Sequence, residues 1–226
     1  MYNSIDMNII KIIKIIALTL LFSAAKAQSL LANEYTILAF GDSLTAGYGL
    51  MAEQGFTYQL EYELNQLGHK VTVVNGGVSG DTTSGGLSRL EWVLSSVKNG
   101  KPDLVILELG ANDALRGITP DITRANMEKM LSILKQAELK TLVAGMMAPP
   151  NMGDKFGTEF NRIFPEVSKK FNTYLYPFFL EGVAGNGALN LSDAVHPNPE
   201  GIKVIVKNII PYILKTDSYF GSNPKK

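Results

Sequence analysis

The sequence predicts an α/β protein, a three-layer α/β/α sandwich around a central five-stranded parallel sheet. Three observations lead there. Five short apolar runs recur along the chain, stretches with helical spacing lie between them, and there is no internal repeat or low-complexity segment. Apolar runs alternating with amphipathic stretches are the pattern of a doubly wound sheet covered by helices on both faces. Right-handed crossovers then make three layers the default.

The strand candidates are 35–40 (YTILAF), 70–75 (KVTVVN), 103–109 (DLVILEL), 141–147 (TLVAGMM) and 173–178 (TYLYPF). They are short and mostly apolar throughout, as strands buried on both faces are. Helices are predicted over 54–67, 86–98, 121–138, 158–171 and 199–213. Leu87, Leu90, Val93, Leu94 and Val97 share one face of the second. Thr119 or Asp121 is the expected cap of the third, with Pro120 in its first turn.

Residues 1–27 read as a secretory signal peptide, with residues 28–226 forming a single domain. Lys11 and Lys14 precede the apolar run IIALTLLF, and Ala25 and Ala27 close it in small-x-small order. A retained anchor is the alternative, but the run over 15–25 is short for a bilayer. Met7 is an alternative start. Cleavage after Ala27 leaves 199 residues carrying 18 basic and 20 acidic side chains, net −2. That balance shows no basic patch and argues against nucleic acid as a partner. The chain has no cysteine, hence no disulfide, no thiolate metal site and no lipid-modified cysteine. An exported protein, periplasmic or secreted, with no stable membrane anchor is expected.

Doubly wound sheets bind ligands beyond the carboxyl ends of their strands. Four such ends carry polar segments: Gly41-Asp42-Ser43, then 76–86 (GGVSGDTTSGG), 110–117 (GANDALRG) and 192–201 (SDAVHPNPEG). A serine hydroxyl needs a base to become a nucleophile. Of the two histidines, His196 lies among these segments, whereas His69 sits between a helix end and a strand start at the other edge, as a helix-terminal or surface residue. Asp193, three residues before His196, can fold back on the ring and fix its tautomer. Ser192 or Asp193 could instead simply cap a turn. Three donors are candidates for a developing oxyanion: the backbone N–H of Ser43, that of Gly80, and the Asn112 side-chain amide. Gly80 could equally serve a tight turn and Asn112 an Asx-turn. Both follow strands expected to be adjacent in the sheet.

GDSL with Ser43, SGDT with Gly80, GAND with Asn112 and DAVH with Asp193 and His196 resemble, in order, the four blocks of the SGNH (GDSL) hydrolases. The likeness runs from Tyr35 to Leu214 and is greatest to the bacterial thioesterase I/lysophospholipase and arylesterase branch. It implies a flavodoxin-like SGNH hydrolase fold. It also implies Ser43 as nucleophile, His196 as base, Asp193 as its orienting partner, and Ser43, Gly80 and Asn112 as the oxyanion hole. The implied activity is hydrolysis of small-molecule acyl esters and thioesters through an acyl-serine, with no metal and no organic cofactor. No G-x-S-x-G elbow, H-E-x-x-H or complete phosphate-binding motif occurs.

The alternatives are a carbohydrate acetylesterase and an idle lipid- or sugar-binding module. Oligomeric state is not legible. A substrate groove is expected beneath 144–157, with Met147 and Met152 as an adaptable wall and Met146 as core within the fourth strand.

Overall fold

The computed structural model describes residues 34–97 and 101–221; the segment read as a signal peptide lies outside them. Strands β1 (Tyr35–Gly41), β2 (Val71–Gly77), β3 (Leu104–Glu108), β4 (Thr141–Ala144) and β5 (Tyr174–Tyr176) form one sheet. Every pairing is parallel and the order is β2-β1-β3-β4-β5. The central strands are apolar because both faces are covered: β3 and β4 are buried at every position. The chain moves from β1 outward to β2, then returns to the other side of β1 for β3. That reversal opens a crevice at the carboxyl ends of β1 and β3, where such sheets take ligands. β1 thus separates β2 from β3, so Gly80 and Asn112 follow strands that flank β1 and do not neighbour each other.

Helices α2 (Phe56–Gln66) and α8 (Pro199–Ile213) pack together on one side of the sheet. On the other, α5 (Pro120–Gln136) packs against both α3 (Thr83–Ser96) and α7 (Ile163–Phe171). Two short helices, α1 (Ser43–Ala46) and α4 (Ala111–Leu115), start directly at strand ends. The starts of α1, α3 and α8 are set by side-chain caps: Asp42 accepts the Leu44 N–H, Thr82 that of Gly85, and Asn198 those of Glu200 and Gly201. At α5 Thr119 holds the cap position without a side-chain bond, and Pro120 fits where no donor is needed.

Three expected elements differ. The helix over 158–171 is two helices, α6 (Asp154–Asn161) and α7, broken at Arg162. Pro165 has no N–H to give the Asn161 carbonyl, and is tolerated in the first turn of the new helix. The fourth strand ends at Ala144, and Gly145 bonds instead to Tyr176 and Phe179. Met146 is therefore buried in a loop, not in the strand. The fifth strand is only three residues long.

Candidate active site

Ser43 is the first residue of α1, turned up from the carboxyl end of β1. Its Oγ lies 2.9 Å from Nε2 of His196, and Nδ1 of the same ring lies 2.7 Å from Oδ2 of Asp193. A carboxylate only accepts, so Nδ1 carries the proton and the Nε2 lone pair faces the serine O–H. Asp193 also accepts the backbone N–H groups of Val195 and His196 at 2.9 and 3.0 Å. Those bonds, that of His196 first, hold its carboxyl down to about 2. The loop is pinned at its base, where Leu191 N–H donates to the His196 carbonyl at 2.7 Å. The Tyr48 ring lies 4.5 Å from the imidazole, centroid to centroid.

The three candidate donors are not in equal states. Among the described residues, no acceptor is bonded to the N–H of Ser43 or of Gly80. Gly80 has φ +84°, a left-handed turn that a side chain would strain, and its carbonyl accepts from Arg116 at 2.7 Å. The Asn112 amide donates to Asp42 Oδ2 at 3.0 Å and to the Asp81 carbonyl at 2.9 Å.

Beneath the serine lie two buried carboxyl groups that the sequence reading did not single out. Asp42 and Glu108 are both fully buried. Glu108 Oε2 accepts the Thr45 hydroxyl at 2.7 Å and the Asp42 N–H at 3.3 Å, while Oε1 has no partner. Burial, and secondarily the Asp42 charge, pushes Glu108 well above the ordinary carboxylate range. Burial raises Asp42 to about 6, opposed by its bonds from Leu44 and Asn112. A β-carbon on Gly41 would run into Thr45 and Glu108, which is why glycine stands at the last position of β1.

Arg89, on α3, was also missed. Its guanidinium donates to the carbonyls of Gly41 (2.9 Å) and Gly76 (2.8 Å) and to Asp81 (2.6 Å), and lies over the Phe40 ring. One side chain thereby ties the serine turn to the segment after β2. The available signals were charges set against apolar residues: Glu108 between Leu107 and Leu109, and Arg89 beside Leu90.

A cavity of about 530 Å³ opens beside Ser43. Leu115, Met146, Met147, Pro149, Phe178 and Leu180 give it a largely apolar wall. Met146 serves the core and the cavity together, whereas Met152 is not part of the lining. His69 stands apart from the site and is not at the surface: it is 7 % exposed, with Phe220 edge-on at 5.1 Å between ring centroids. Burial lowers its pKa. Among the described residues no group of three or more His, Asp or Glu side chains is placed to hold a metal.

A parallel 2-1-3-4-5 sheet with Ser, Gly, Asn and Asp-His segments converging on one edge defines a class. Residues 39–204 match the model of the GDSL-like lipase/acylhydrolase family, and the chain belongs to it. It is a hydrolase of the esterase/thioesterase type. It is similar to an arylesterase of Vibrio mimicus, 36% identical over 90% of this chain and 98% of that one. An esterase TesA of Pseudomonas aeruginosa is 37% identical over 87% and 92%. The thioesterase 1/protease 1/lysophospholipase L1 of Escherichia coli K12 is 36% identical over 72% and 76%. Among solved structures, TesA superposes with a TM-score of 0.76 at 36% identity, covering 80% of this chain and 99% of that one. An esterase EstA of Pseudoalteromonas sp., inhibited by monoethylphosphonate, gives 0.74 at 32% identity over 80% and 97%.

Proposed function

We propose that the protein hydrolyses acyl esters and thioesters through an acyl-serine intermediate on Ser43. The observation that carries this reading is the chain of contacts from Ser43 Oγ to His196 Nε2 and from Nδ1 to Asp193. The Ser43 oxygen attacks the acyl carbon as its proton passes to Nε2. The carbonyl oxygen gains a negative charge, which the N–H groups of Ser43 and Gly80 and the Asn112 amide stabilise. The imidazolium is stabilised by Asp193 and gives its proton to the leaving alkoxide or thiolate, and the C–O or C–S bond breaks. Water then attacks the acyl-serine, its proton going to Nε2. Collapse of the second intermediate returns that proton to Ser43 and releases the acid.

The apolar cavity beside Ser43 suits an acyl chain and gives a sugar few polar partners. This favours acyl esters and thioesters over acetylated polysaccharide. An idle binding module would have no use for the serine–imidazole contact. Residues 1–27 are proposed to direct export and to be removed, leaving a single domain in the periplasm or outside the cell; among the described residues no helix is long and apolar enough to cross a membrane. A panel of p-nitrophenyl esters and acyl-CoAs of graded length, with an acetylated polysaccharide alongside, tests the reading. Hydrolysis that improves with chain length beyond acetyl supports it, and activity confined to acetylated sugars contradicts it.

A further inference from the structure

The Asn112 side chain meets the crevice with both of its amide protons engaged, one by the Asp42 carboxylate and one by the Asp81 carbonyl. An NH₂ group has two protons, so an oxyanion can be served only if one bond is released. The two acceptors differ in strength. At pH 8, above the value of about 6 to which burial raises it, Asp42 is a carboxylate with no exposure to water, anchored by the Leu44 N–H at 3.0 Å. The Asp81 carbonyl is neutral, and hydrogen bonds to ionised acceptors are roughly twice as strong as those to neutral ones. A charge forming on the substrate oxygen therefore displaces the carbonyl and not the carboxylate.

We propose that Asp42 is a positioning residue that keeps one Asn112 proton throughout the reaction and so aims the other, which leaves the Asp81 carbonyl for the oxyanion as the tetrahedral intermediate forms. This rests on the reading of Asn112 as an oxyanion donor. The exchange is favourable only once charge has developed, so Asp42 acts on kcat and not on KM.

The test compares Asp42→Asn, Asp42→Ser, Asn112→Ala and the double variant Asp42→Asn/Asn112→Ala, with steady-state kinetics on one p-nitrophenyl ester and a thermal melt for each. In Asp42→Asn the new amide still offers an oxygen to Leu44 but can present its own NH₂ to Asn112, which must turn over or leave. Serine also caps a helix start and is too short to reach Asn112. The expected result is a kcat at least about tenfold lower in both Asp42 variants, with KM within about twofold, and a double variant no slower than Asn112→Ala alone. Unchanged kcat, a loss confined to KM, or single effects that multiply in full would overturn the proposal. So would failure of both Asp42 variants to fold, which would assign Asp42 to the fold. If Asn112→Ala itself keeps full kcat, the parent reading of Asn112 fails, and the proposal with it.

Discussion

Asp193 grips His196 at two points, accepting its backbone N–H at 3.0 Å and its ring Nδ1–H at 2.7 Å. Backbone and ring are fixed by one carboxylate, so the three-residue spacing sets the direction of Nε2 toward Ser43. Asp193→Asn places an NH₂ or a weaker neutral acceptor beside Nδ1. The expected loss in kcat is about 10²–10⁴-fold, from a misaligned or wrong tautomer. Because Asp193 is held down to about 2, its contribution to stability is present above the ordinary carboxylate range and is lost as pH falls toward 2. Between pH 5 and 9 the wild type should show no step from this group. Steady-state rates of Asp193→Asn check the first point, and thermal melts of the wild type across that pH range check the second.

Glu108 gives a prediction of opposite sign. Its folded pKa is raised, so the folded state binds more protons than the unfolded chain above the ordinary glutamate range, and stability falls as pH rises from there. Glu108→Gln mimics the protonated acid and removes that loss. Its melting temperature should match the wild type near pH 4 and exceed it at pH 8. A variant less stable than the wild type by the same margin at both pH values would refute the assignment.

His69 should matter to stability at mildly acid pH and not to catalysis. Its pKa is lowered by burial, so the unfolded chain takes up the proton first as pH falls, and stability is lost below the ordinary histidine range near ~6.5. His69→Phe should flatten the decline in melting temperature between pH 7.5 and 5 while leaving esterase rates at pH 8 within about twofold. His196→Ala, in contrast, should be as inactive as Ser43→Ala.

Arg89 bonds three acceptors on two segments, and lysine cannot reproduce that fork. Arg89→Ala strands the largely buried Asp81 carboxylate and two carbonyls, at a cost of about 3 kcal/mol. Arg89→Lys should recover only part of it. Urea denaturation measures both, and equal stability of Arg89→Lys and wild type would contradict the argument.

The parts legible in the sequence were those written locally. The predicted bounds of α8, 199–213, are those of the structure, with Pro199 at its first position. The four polar segments were readable because each directly follows a strand or precedes a helix. Pro165 carried the break between α6 and α7 and went unread against the stronger helical spacing. Asp42 with Glu108, and Arg89 with Gly41, were not legible as pairs. The first crosses 66 residues and depends on β3 lying beside β1, which strand order alone decides; the second crosses 48 and depends on α3 bringing Arg89 over the end of β1. His69 looked exposed because its cover, Tyr219 and Phe220, comes from the far end of the chain.

The central claim is that Ser43 becomes covalently acylated. Mass spectrometry of protein acid-quenched during turnover of a p-nitrophenyl ester tests it most directly, with Ser43→Ala and His196→Ala alongside. The expected result is a single acyl adduct on the peptide containing Ser43, absent from both variants, each of which retains less than about one per cent of activity. An adduct on another residue, or a Ser43→Ala protein that still turns over the ester, would contradict it.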